Sequence, residues 1–276
     1  MPSVASGRRA ALAPALLVFP GALWLALFFV LPLVTLAGAS VGAPWWDGYA
    51  RAFTDYGSIF ARSFAFGALA TAAALLLAYP LAYVLAFRAG RWRPLLLGLV
   101  ILPFFTTFLV RTFAWKTIFN DGGLVVRVLQ ALHLLPPDGR LLDTAWAVIG
   151  GLTYNFLPFM ILPIYASLEK IDRRLVEAAQ DLFSSPFRAF RLVVLPLSLP
   201  GVLAGSLLTF IPAAGDFVNA ELLGGPNQRM IGSVIQAQFL QARDYPLAAA
   251  LSFGLMALIA VGAVAAARLL REDQVG

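Results

Sequence analysis

Six stretches free of Asp, Glu, Lys and Arg divide this chain: Ala10–Trp46, Ser63–Phe87, Pro94–Val110, Thr144–Leu168, Leu192–Gly215 and Tyr245–Ala267. Each holds 17 residues or more, and a helix of that length crosses a hydrocarbon core of about 30 Å. The pattern predicts an all-α membrane protein with six transmembrane helices. Composition agrees, because 61% of residues are hydrophobic and 12% charged, against about 25% charge in soluble chains. That excludes a soluble globule. A mean hydropathy of +0.84 excludes disorder, which needs low hydrophobicity and high charge. The third interval is the least regular: it is the shortest, contains Pro103 and reaches full length only by running through Arg111 to about Trp115.

Arg8 and Arg9 before an apolar run, with Ala37-Gly38-Ala39 behind it, have the outline of a secretory signal. The run from Ala10 to Leu36 is much longer than the roughly 7–15 residues of a cleaved signal, so the first span is expected to stay. Orientation follows from Lys and Arg, which concentrate on the cytoplasmic side. The tail, the second and fourth gaps and the C-terminal end hold twelve, the opposite side eight, and Arg111 and Lys116 of those eight sit at or near membrane depth. Both termini are placed in the cytoplasm. Two of the outer connections, Gly38–Arg62 and Phe119–Asp143, carry loop signals: Pro44, Gly48, Gly122-Gly123 and Pro136-Pro137. No repeat of 20–50 residues is evident, and residues 1–276 are expected to form one membrane domain. Zero cysteines exclude disulfides and Cys-ligated zinc. His133 stands in an outer loop with no ligand-spaced neighbours, so no metal site is expected.

The loop 169–196 is the one amphipathic inner segment. From Asp172, an N-cap candidate, Leu175, Ala178, Ala179 and Leu182 fall on one helical face, with Arg173, Arg174, Glu177 and Asp181 largely off it. Ser185 then offers a cap, Pro186 suits the first helical position, and Phe187, Phe190 and Val194 recur on one side. Two short helices are expected at the membrane surface. Periodicity alone allows a hairpin resting on lipid headgroups or a docking element for a cytoplasmic partner.

Glu177-Ala178-Ala179, followed at the appropriate distance by Val193-x-Leu195-Pro196, resembles the EAA loop of binding-protein-dependent ABC importer permeases. The run from Phe210 through Asp216 and Glu221 to Pro226, with Met230-Ile231-Gly232 and Arg243-Asp244-Tyr245-Pro246, is similar to the spermidine/putrescine branch. So is Leu102–Trp115. One departure is Phe183, where the EAA pattern places a glycine that eases the turn between two coupling helices. The resemblance implies a type I permease fold whose loop, through Glu177, Ala178, Ala179, Asp181, Leu182, Phe183 and Pro196, couples to an ATPase. It also implies an ATPase dimer, a second homologous permease, an external substrate-binding protein and a bacterial inner-membrane location. No G-x-x-x-x-G-K-[ST] occurs, so the chain is not expected to be an enzyme, and ATP and Mg would be held by the separate ATPase.

Charges at membrane depth are functional candidates. Asp216 lies twenty residues past Pro196 and Arg111 eighteen past Arg93, near the outer ends of their spans. Arg111 either snorkels outward while Asp216 caps its span, or the two, with Glu221, line a cargo exit or form an outer gate. Tyr154 and Asn155 offer hydrogen bonds to a cargo or to another helix. A polyamine importer subunit is the leading function. A secondary transporter or channel, or an ABC permease for an opine or iron, is the alternative; a membrane-embedded enzyme is disfavoured by the single histidine in a loop. The net charge of +6 equals the inner-face surplus of twelve basic over six acidic residues, so it reads as orientation charge and not as a nucleic-acid footprint.

Overall fold

The structure, a computed structural model, describes residues 17–41, 44–183 and 185–272. Arg8, Arg9 and the start of the first apolar run lie outside the described residues, as do the side chains of Leu182 and Phe183. Every regular element among the described residues is helical. We number them α1 Leu17–Ser40, α2 Trp45–Tyr83, α3 Arg93–Ile101, α4 Phe108–Phe119, α5 Leu124–Ala131 and α6 Ala145–Glu169. There follow α7 Arg173–Phe183, α8 Pro186–Ala214, α9 Val218–Leu223, α10 Ile231–Ala237 and α11 Tyr245–Glu272.

Five of these elements, α1, α2, α6, α8 and α11, are long and apolar enough to cross a membrane. The third expected span is different. Gly90–Phe105 and Phe108–Ala131 meet at a bend of 92°, where Thr106 and Thr107 leave helical geometry at ψ 149° and 147°. Pro103 cannot donate an N–H to the preceding turn, and the chain tightens into a short 3-10 turn, Leu102–Phe105, before it breaks. The span is therefore two half-helices and not one.

Two other expectations change. The outer connection Gly38–Arg62 is not a loop, because α2 starts at Trp45, with extended Pro44 (ψ 136°) as its N-cap residue. Pro44 acts as a helix starter, and Gly48 lies inside the helix, where a Cβ would sit 3.4 Å from Ala250. The second short surface helix is not separate either: Pro186–Ala189 runs through a π-helical turn, Phe190–Val194, into the fifth span. Ser185 holds the N-cap position there without a side-chain cap bond.

The bundle is built around α6, which α2 and α8 cover most extensively. Lipid is as apolar as leucine, so membrane helices associate through close packing, and small residues permit it. On α2, Ala70, Ala74, Ala78 and Ala82 recur every fourth residue, and all are fully buried. On α8, a Cβ at Gly201 would meet Pro163 O at 2.6 Å, and one at Gly205 would meet Met160 O at 3.0 Å. The α6–α8 contact thus requires two hydrogens where side chains would stand. α1, by contrast, packs chiefly on α11, and none of its apolar window is buried.

Candidate functional site

Since α8 runs 29 residues, about 43 Å at ~1.5 Å per residue, α7 and α9 lie at opposite ends of the bundle. Each end gathers residues singled out from the sequence.

At the α9 end a buried polar cluster joins three elements. Asn155 on α6 donates from Nδ2 to Thr112 Oγ1 on α4 at 3.2 Å and to Asn219 Oδ1 on α9 at 3.0 Å. The Thr112 hydroxyl donates in turn to Phe108 O at 3.1 Å. Asp216 Oδ1 accepts the backbone N–H of Asn219 at 2.7 Å, which fixes the first turn of α9. Thr112, Asn155, Asn219 and Asp216 are all buried, at 0%, 1%, 0% and 7% exposure. Buried polar groups cost free energy unless bonded, and the two bonds from Asn155 hold three elements in register, while Asn155 Oδ1 and Asn219 Nδ2 are buried with no hydrogen-bond partner among the described residues. Gly151, one turn before Asn155, permits the approach: a Cβ there would stand 2.7 Å from Asn219 Oδ1 and 2.5 Å from Leu223 Cδ1.

Tyr154 and Arg111 flank this cluster without entering it. The Tyr154 ring meets Trp115 edge to face at 5.1 Å. The Arg111 guanidinium lies 4.0 Å from the Phe104 ring centroid, across the break in the third span, with its Nε and Nη1 buried and unbonded. Arg111 and Asp216 form no ion pair among the described residues; one stacks on an aromatic face and the other holds a helix start. Glu221 sits on the opposite side of α9 from Asn219. It lines an open cleft of about 420 Å³ with Tyr56, Asp143, Arg229, Gln238 and Gln241. Sequence reading found Asn155 and Asp216 but missed Thr112 and Asn219, the two partners that Asn155 joins.

At the other end, Asp172 starts α7 as expected: its Oδ1 accepts the N–H of Arg174 at 2.9 Å. The buried side of α7 is not the expected one. Val176 and Ala179 are buried at 9% and 4%, whereas Leu175 is 53% exposed, and Glu177, Ala178 and Asp181 are exposed with it. Ala179 is therefore turned inward, and the open surface here consists of Leu175, Glu177, Ala178 and Asp181. Phe187, at 71% exposure, and Pro196 are also open. Behind them Tyr79 and Phe190 pack edge to face at 5.6 Å, and the Tyr79 and Ser198 hydroxyls are 2.7 Å apart. Among the described residues no group of three His, Cys, Asp or Glu could hold a metal ion.

Comparison with known proteins places this geometry. The family of binding-protein-dependent transport system inner membrane components matches residues 78–271. The spermidine/putrescine transport system permease protein PotB of Haemophilus influenzae is 41% identical over 216 residues, 78% of this chain and 76% of that protein. PotB of Escherichia coli K12 is 39% identical over 253 residues, 86% of this chain and 92% of that protein. A bacterial alginate ABC transporter, solved in complex with an alginate pentasaccharide-bound periplasmic protein, shares the fold at a TM-score of 0.75 and 20% identity, covering 96% of both chains. The chain belongs to the family of binding-protein-dependent transport system inner membrane components.

Proposed function

We propose that this chain is a permease subunit of an ATP-driven importer that moves a polyamine of the spermidine/putrescine class across the bacterial inner membrane by alternating access. The observation that carries the substrate class is identity of 39–41% over most of both chains with spermidine/putrescine permeases. In this reading the chain is one permease domain with both termini cytoplasmic. It pairs with a second homologous permease and receives cargo from an extracytoplasmic binding protein. ATP and Mg are bound by a dimeric ATPase that docks on α7 and the start of α8. Binding that favours one of two states of the complex shifts the cavity between outward and inward access.

The cargo's ammonium groups suit a carboxylate-bearing entry. Glu221 and Asp143 line the open cleft at the α9 end, and Glu221 is the residue of the candidate set with free access to it. Asp216, Asn155, Tyr154 and Arg111 stand deeper, at the head of the pathway, and hold its walls. At the other end the open surface of Glu177, Ala178 and Asp181, with Pro196 and the Leu182–Phe183 end of α7, forms the coupling element.

Uptake of radiolabelled spermidine and putrescine, measured in cells deleted for this chain and in the same cells re-expressing it, tests the assignment. Uptake should fall to background and return on re-expression. Undiminished uptake in the deletion strain, with no second polyamine importer present, would exclude the polyamine assignment.

A further inference from the structure

We infer that Asn155 is a positioning residue whose single amide group clamps the outer half of the broken third span and the α9 helix onto α6, so that the three move as one body. Both hydrogens of the Asn155 Nδ2 group are used, one on Thr112 Oγ1 at 3.2 Å and one on Asn219 Oδ1 at 3.0 Å. The two acceptors lie 43 and 64 residues away in sequence, on different elements. Removing this one group disconnects both.

α4 rests on α6 through three rungs: Phe108 near Phe156 at 6.0 Å, Thr112 on Asn155, and Trp115 against Tyr154 at 5.1 Å. These α4 residues fall at i, i+4 and i+7, one helical face. The middle rung is the polar one, and polar bonds are directional where ring contacts tolerate sliding. On the far side of the break, α3 has its own hold on α6: Arg93 pairs with Glu169 and lies 4.9 Å from the Tyr165 ring centroid, while Leu96, Leu97 and Val100 pack against the core. Across the break the Arg111 guanidinium lies over the Phe104 ring. Both halves of the span, on either side of its 92° bend, are thus held on α6, α3 through Arg93 and α4 through the three rungs. Asn219 is locked at its own end, because Asp216 holds its N–H at 2.7 Å and Gly151 leaves room for it.

The clamp deepens the importer reading above. Two measurements test it, of which only the first depends on that reading. In proteoliposomes holding the assembled importer, solute moved per ATP hydrolysed is compared for the wild type, Thr112→Val and Thr112→Ser. Valine matches threonine in shape but lacks the acceptor; serine keeps the acceptor and loses the methyl. Amide hydrogen exchange of the same complexes without ATP reads the clamp directly.

Losing a bond to a buried donor should speed exchange in α4 about tenfold in Thr112→Val and lower solute moved per ATP, while Thr112→Ser keeps most of the wild-type protection and coupling. Asn155→Leu should speed exchange in α4 and α9 together, leaving α2 and α8 protected. The clamp is overturned if Thr112→Val exchanges like the wild type, if Thr112→Ser is the worse of the pair, or if Asn155→Leu loosens α4 without α9. If exchange changes as stated but no polyamine is moved by any form, the clamp stands and the cargo assignment fails.

Discussion

Asp216 shows how much a single side chain can say before and after its surroundings are known. Its place past the end of the fifth span was legible in the sequence, and both a cap and a pathway role were open. The structure shows a cap on a different helix: Oδ1 accepts the Asn219 N–H at 2.7 Å, at the start of α9 and not at the end of the fifth span. An asparagine at this position keeps an acceptor oxygen, so Asp216→Asn separates charge from capping. If the carboxylate attracts a cationic cargo, the substitution should lower uptake about threefold to tenfold with assembly of the complex unchanged, measured by initial uptake rates and co-purification. Asp216→Ala removes the acceptor as well and should also cost about 1 kcal/mol of stability. Equal uptake by Asp216→Asn and the wild type would leave capping as the whole role. Gly205 gives a packing prediction at the same scale. Its missing Cβ would lie 3.0 Å from Met160 O and 2.9 Å from Met160 Sδ, so Gly205→Leu should destabilise the α6–α8 contact by about 1–3 kcal/mol, seen as a lower midpoint in detergent melting. Thr112 and Asn219 escaped the sequence reading because nothing local marks them: a threonine and an asparagine become a cluster only through the register of helices more than forty residues apart.

Among the elements, spans with strong apolar continuity were readable and their ends were not. Pro44 and Gly48 signalled a loop, yet α2 begins at Trp45. The contrary signal was present in the charges, since Asp47, Arg51 and Asp55 recur every fourth residue, the spacing of a helical face. That face is used: Arg51 pairs with Asp244 at 3.3 Å and Tyr56 accepts from Gln238 at 2.9 Å. For α7 the period was right and the phase wrong, because small and large apolar residues occupy both sides of the helix. Choosing between faces needs the position of the bundle, which periodicity does not contain. The corrected phase makes a paired prediction. Ala178 is exposed and Ala179 is 4% exposed, so Ala178→Trp should leave the chain folded and weaken ATPase association roughly tenfold, the equivalent of about 1–3 kcal/mol of misfit. Ala179→Trp should instead push α7 off its own bundle and lower the yield of folded chain. Co-purification of the ATPase, set against the monodispersity of the permease alone, distinguishes the two; if Ala178→Trp retains full ATPase binding and Ala179→Trp folds normally, this face is not the docking surface.

At the scale of the whole molecule, the same sparse charges that marked the spans also carry the expectation of which way they run. Lys and Arg number twelve in the segments expected to face the cytoplasm and eight opposite, a bias that sets orientation when the counted loops are short. In the structure α7 lies at one end of the bundle, and α9 with the Glu221 cleft at the other. Within such a bundle, α6 is shielded by its neighbours, whereas α1 exposes apolar side chains such as Trp24, Phe28 and Phe29 at 61%, 66% and 61%. Surface of that kind is stable only against lipid or another apolar partner, so orientation and assembly are both properties of the membrane-embedded complex. The chain has no cysteine, which makes introduced thiols unambiguous reporters of sidedness. Asp55 and Asp138 are exposed on the segments expected outside, and Arg91 and Arg188 on those expected inside. In spheroplasts, a membrane-impermeant maleimide should label Asp55→Cys and Asp138→Cys at once, and Arg91→Cys and Arg188→Cys only after the membrane is permeabilised. The reverse pattern would turn the bundle over and place α7 where no cytoplasmic ATPase can reach it. Labelling of Asp55→Cys and Arg188→Cys at once, with Arg91→Cys and Asp138→Cys only after permeabilisation, would mean that the broken third span does not cross, because Arg91 lies before that span and Asp138 after it.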